Sequence, residues 1–73
     1  MNPQDVARKL TPILMEWAGI KAAQVDAEAA RIAEYAQNYF TNGRPGSAVV
    51  FPMWTINGGI FHIEVGKDGS VIV

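Results

Sequence analysis

His62 is the only histidine in this chain, and Glu64 stands two residues beyond it. On an extended strand that spacing sends both side chains to one face. A carboxylate beside an imidazole can orient a general base, and the same pair can supply half of a metal site. A metal would need further ligands, and no His-Glu-x-x-His spacing surrounds the pair. With no cysteine there is no thiolate ligand and no disulfide framework. The Ser and Thr hydroxyls are few: Thr11, Thr41, Ser47, Thr55 and Ser70, none within Gly-x-Ser-x-Gly. Ser47 closes the run Gly43-Arg44-Pro45-Gly46-Ser47, which has the outline of a phosphate loop. A P-loop needs Gly-Lys-Ser/Thr leading into a helix, whereas a strand-forming run follows here. The segment reads as a connector with Arg44 as its only charge. The expectation is that no residue is catalytic, that there is no cofactor and no metal, and that the chain leans away from being an enzyme. An alternative keeps a small-molecule site or an enzyme at a subunit interface, built from His62, Glu64, Arg44 and Trp54.

Charge narrows the partners. Six Lys and Arg against seven Asp and Glu leave a formal net charge of -1. Arg8, Lys9, Lys21, Arg31, Arg44 and Lys67 are scattered along the chain, which gives no electrostatic footprint for nucleic acid. A helix-turn-helix around Gly19 would open its second helix with Asp26 and Glu28 before any base, and acids face phosphates unfavourably. The start of the chain has neither a basic nor an apolar leader region. The longest apolar run, Ala48 to Trp54 counting Pro52, falls far short of the roughly 18 residues that cross a bilayer. The expectation is a cytoplasmic protein with no membrane partner, with nucleic-acid binding kept as a third and less favoured reading.

The elements that would hold these residues follow from spacing. Asn2 can cap a helix, Pro3 suits its first turn, and Asp5 lies at the positive end of the dipole. Val6, Leu10, Ile13, Leu14 and Trp17 then form one apolar stripe. Thr11-Pro12 interrupts it, so this first helix is expected to be kinked at Pro12, or split there with Thr11 capping a second piece. Gly19 ends it. A second helix over 22–40 carries the stripe Val25, Ala29, Ile32, Ala36 and Tyr39 in an alanine-rich sequence. The loop 41–47 follows by composition. The remainder reads as a β-meander over 48–73: a strand near 48–56, the turn Asn57-Gly58-Gly59, a strand 60–65, the turn Gly66-Lys67-Asp68-Gly69, and a short strand 70–73. The predicted fold is α+β. Two N-terminal helices, the helical half 3–40, pack on one face of a three-stranded antiparallel meander, all in a single domain 1–73.

Faces follow from the period of two. Asn57-Gly58 as a two-residue type I′ turn sets Trp54 opposite Phe61. The core face is then Val50, Pro52, Trp54, Phe61, Ile63 and Val65. The outer face is Val49, Phe51, Met53, Thr55, Ile60, His62 and Glu64. Pro52 resists this register, because it would sit where the first strand must donate to the second and it has no N–H. A bulge near 52, a longer turn, or pairing only from Met53 onward would relieve the conflict.

A domain of 73 residues buries only about 60% of its unfolded surface, and no disulfide helps it. Either the core is unusually apolar or a second subunit adds burial. With both helices on one face, the other sheet face is left uncovered and too apolar for water. The sequence therefore points to a small non-enzymatic protein-interaction module. It would be homodimeric or dock on a larger protein, through Val49, Phe51, Met53, Ile60 and His62, with Arg44 nearby. Short, cysteine-free and divided into a helical and a β half, the chain resembles in size and style the small accessory proteins of phages and mobile elements. No motif carries that likeness.

Overall fold

The computed structural model describes residues 1–73. Two helices come first, α1 (Pro3–Ala18) and α2 (Ala22–Thr41). Three strands follow, β1 (Ala48–Trp54), β2 (Ile60–Gly66) and β3 (Val71–Ile72), in the order β1-β2-β3 and antiparallel throughout. The α+β architecture expected from the sequence is the one observed.

α1 starts where the capping residues place it. The Asn2 side-chain oxygen accepts from the Gln4 and Asp5 N–H groups at 2.9 and 3.3 Å. The helix is not split at Pro12: it runs unbroken to Ala18. Thr11 caps nothing, and its hydroxyl donates to the Ala7 carbonyl one turn back at 3.0 Å. Pro12 removes only the bond that the Arg8 carbonyl would have accepted. Leu10 and Leu14, on either side of it, are both fully buried in one core, which holds the two halves in a single helix.

α2 has no side-chain cap at Lys21 and depends on alanine propensity and packing. Four members of its stripe, Val25, Ala29, Ile32 and Ala36, are buried with Ala33 beside them, while Tyr39 at the end is only half-buried. Small residues here let α1 lie close. The core is a single cluster joining Val6, Leu10 and Leu14 of α1 and the α2 stripe to Phe61, Ile63 and Val65 of β2. Full burial of a side chain such as Ile63 contributes about 1.5–3 kcal/mol. No polar residue is buried.

The register of β1 differs from the expected one by a single residue. Trp54 pairs with Ile60, Met53 with Phe61, Phe51 with Ile63 and Val49 with Val65. The turn is the cause. Thr55 N–H donates to the Gly59 carbonyl at 2.8 Å, leaving a three-residue loop of Ile56, Asn57 and Gly58. A type I′ turn needs positive φ at both central residues, and Asn57 does not have it. Only Gly58 does, at 88°, as the left-handed residue of a three-residue hairpin loop. An odd loop flips every side chain of β1 to the opposite face. Val49, Phe51 and Met53 thus turn toward the helices, and Val50, Pro52 and Trp54 turn outward. The second hairpin repeats the device: Gly66 N–H donates to the Ser70 carbonyl at 2.8 Å, and Gly69 sits at φ 89°.

The same shift removes the conflict at Pro52. Thr55/Gly59 and Ser47/Lys67 are both hydrogen-bonded positions, through Thr55 N–H and Lys67 N–H, each at 2.8 Å. Such pairs alternate, so Phe51/Ile63 is bonded and Pro52/His62 is not. No donor is required of Pro52 toward β2, and no bulge is needed. Its missing N–H falls on the free edge of the sheet. α1 is tied to both hairpin loops: Ile56 N–H donates to the Trp17 carbonyl at 3.0 Å, and Lys9 Nζ to the Gly69 carbonyl at 3.1 Å. The Ile56 side chain also lies against Gly19, where an added Cβ would stand 2.8 Å from it.

Candidate functional site

The candidate site is the sheet face that no helix covers. Alternation along the strands sends Val50, Pro52 and Trp54 of β1 to it, with Ile60, His62 and Glu64 of β2 and Ile72 of β3. Val50 is 51% exposed, Trp54 68%, Ile60 59% and Ile72 56%. Four large apolar side chains on one small sheet face form a patch, whereas single exposed apolar residues are ordinary. Pro52 stands between Val50 and Trp54 and continues the apolar surface.

Two ionisable groups stand among them. His62 faces Pro52 across the strands, and Glu64 faces Val50 and, on its other side, Ile72. No three His, Cys, Asp or Glu side chains come together anywhere in the chain in a way that could hold a metal ion. The two ion pairs, Arg8 with Asp5 and Arg31 with Glu28, belong to the helices and leave the sheet face untouched.

At one end of this face Trp54 and Ile60 are paired beside the first hairpin loop. At the other end the paired residues are Ala48 and Gly66, beside an open hollow of about 390 Å³; the Ser70 hydroxyl and the Asp68 carboxylate lie over Gly66, where a side chain would collide with both. Ser47, Ala48, Glu64, Gly66, Asp68 and Ser70 border that hollow. The Asp68 carboxyl is held below its usual range, first by the Ser70 hydroxyl and then by the Ser70 N–H, which donates to it at 3.0 Å.

Of the residues that the sequence nominated, Ile60 and His62 lie on this face. Val49, Phe51 and Met53 do not. They are half-buried on the helix side, and Phe51 and Met53 pack against the core. Phe51 meets the Tyr35 ring edge-on at a centroid distance of 5.7 Å. Arg44 is exposed in the loop after α2, where it borders a shallow recess with Tyr35, Tyr39 and Asn42. It is not gathered with His62 and Glu64. Sequence reasoning missed Val50, Pro52 and Ile72 on the open face, and set Trp54 on the core face. Pro52 was the available signal, since only a register that leaves it unbonded fits an unbroken strand pair.

No helix is long and apolar enough to cross a membrane. Compared with protein families, with curated proteins and with solved structures, the chain matches none.

Proposed function

We propose that this chain is a small non-enzymatic protein-interaction module whose contact surface is the open sheet face. One observation carries the reading: both helices cover the same side of the sheet, and the side left open presents Val50, Trp54, Ile60 and Ile72 together. Apolar residues flanked by a few polar ones resemble the centre of a protein interface, where a large aromatic such as Trp54 typically dominates binding. His62 and Glu64 supply polar specificity within it.

The test uses two substitutions at exposed positions, Trp54→Glu and Ile60→Lys. Each should abolish association, read as solution mass, while far-UV circular dichroism and the thermal midpoint stay as in the parent chain. Association that survives both charges would overturn the reading.

A further inference from the structure

We infer that Asn57 is a modification site: in the folded chain its side-chain amide is lost to solvent water through a succinimide with the Gly58 nitrogen, leaving aspartate or isoaspartate in the first hairpin loop. The inference goes beyond the contact-face reading and does not depend on it.

The chemistry starts from the following residue. A backbone nitrogen closes a ring on the preceding side-chain carbonyl only where nothing crowds its approach, and glycine, with no Cβ, crowds it least. The asparagines are Asn2, Asn38, Asn42 and Asn57. Asn2 precedes Pro3, which has no N–H to give up. Asn38 precedes Tyr39 inside α2, where the backbone is fixed. Asn42 and Asn57 each precede a glycine, and both are exposed.

The fold separates these two. Asn42 stands at the end of α2, where its own N–H donates to the Asn38 carbonyl at 3.0 Å and the Gly43 N–H to the Phe40 carbonyl at 3.1 Å. Both nitrogens of that pair are tied. Asn57 lies outside every helix and strand, and its own N–H donates to no backbone group. One bond holds the Asn57-Gly58 pair, from the Gly58 N–H to the Thr55 carbonyl at 3.0 Å. Around Gly58 the space is open, with nothing within 4 Å of where a Cβ would stand, so a ring has room to close.

Solvent hydroxide takes the Gly58 amide proton. The nitrogen attacks Asn57 Cγ, the Cγ–Nδ2 bond breaks, and Nδ2 leaves as ammonia with a proton from water. Water then opens the succinimide. Attack at Cγ breaks the new bond and gives aspartate. Attack at the main-chain carbonyl breaks the original peptide bond to Gly58 and gives isoaspartate. Either product places a negative charge in the run from Ala48 to Phe61, which has no charged residue, beside Trp54 and Ile60. Isoaspartate also adds an atom to the main chain between Thr55 and Gly59, whose two mutual bonds of 2.8 Å close the loop.

The test holds the full chain folded in mildly alkaline buffer, samples it over days, digests it and weighs the peptides. The peptide bearing Asn57 should gain the mass of water exchanged for ammonia and resolve into two products of equal mass. The peptide bearing Asn42 should convert roughly two- to ten-fold more slowly, the rate equivalent of one further backbone hydrogen bond. In guanidinium the two should convert at the same rate, because the difference belongs to the fold. Asn57→Gln, whose longer side chain needs a larger ring, should keep its mass over the same period. An Asn57 that keeps its amide in the folded chain while the unfolded chain converts would overturn the inference. So would equal rates at Asn42 and Asn57 in the folded chain. None of these readouts involves association, so the contact-face reading stands or falls separately, on Trp54→Glu and Ile60→Lys.

Discussion

The two faces of this sheet are built from nearly the same materials and meet opposite fates. The inner face presents Val49, Phe51, Met53, Phe61, Ile63, Val65 and Val71, and the outer one Val50, Pro52, Trp54, Ile60, His62, Glu64 and Ile72. Hydrophobicity alone does not separate them along β1, where every residue is apolar. What separates them is the number of residues in a loop. The three-residue loop that pairs Thr55 with Gly59 turns Phe51 inward and Trp54 outward, whereas a two-residue Asn57-Gly58 loop pairing Ile56 with Gly59 would reverse both. Composition makes a strand here, and loop parity decides which half of the strand becomes core.

The most direct way to break this comparison is to change the parity. Deleting Met53 keeps the Thr55/Gly59 loop closed, moves Pro52 and Val50 opposite Phe61 and Ile63 and so toward the helices, and puts Pro52 where a donor is required. The expected outcome is loss of the cooperative thermal transition, followed by circular dichroism. A deletion variant that melts like the parent would show that stability does not depend on which half of β1 faces the helices.

A milder comparison uses one strand. Ile63 is fully buried and Ile60 lies on the open face. Ile63→Ala should cost about 2–5 kcal/mol in chemical denaturation. Ile60→Ala should cost under about 1 kcal/mol. Equal losses would mean that the faces are not distinguished by burial.

The hairpin loops can be compared with each other. Gly58→Ala and Gly69→Ala each force a Cβ into the left-handed region, at a cost of about 1–2 kcal/mol. Neither new methyl group meets a close neighbour, since Gly58 has open space and Gly69 has Val6 at an ordinary 3.9 Å. Matching losses of stability would confirm twin loops, and a large difference would separate them.

The smallest effect is on pH. Asp68 is held ionised by Ser70, so its carboxyl titrates below the usual value of about 3.9. A carboxyl depressed in the folded state adds stability above its unfolded pKa and loses it as the pH falls through the folded one. Below about pH 4, Asp68→Asn should therefore melt with a shallower acid dependence than the parent. Parallel curves would show that the bond to Ser70 does not survive in solution.

Much of this fold was legible in the sequence, and the exception is instructive. Both helices, their stripes as far as Leu14 and Ala36, and the inner face of β2 follow from spacing that one dominant interaction controls, the burial of one apolar side; Trp17 and Tyr39, at the stripe ends, stay outside the core. The face assignment of β1 failed because Asn57-Gly58 matches a two-residue turn by residue type. The actual loop is set by Thr55, whose hydroxyl accepts from the Gly59 N–H at 2.8 Å, and by Gly58 alone taking positive φ. The conflict at Pro52 was visible from the start, and a shift of one residue resolves it completely. The site inherited the same division: Ile60 and His62 were found on β2, while the β1 half was exchanged for its neighbours.

The two ties of α1 to the hairpin loops bear on the order of folding. Each helix, and each hairpin with its three-residue loop, closes over short stretches of chain and at small entropic cost. Lys9 to Gly69 spans 60 positions, and Trp17 to Ile56 joins the same two distant regions. Contacts of such separation are the slow ones in small domains. The docking of α1 across the finished hairpins is thus expected to limit the rate, and substitutions at Lys9 or Ile56 would register in the kinetics of that last closure.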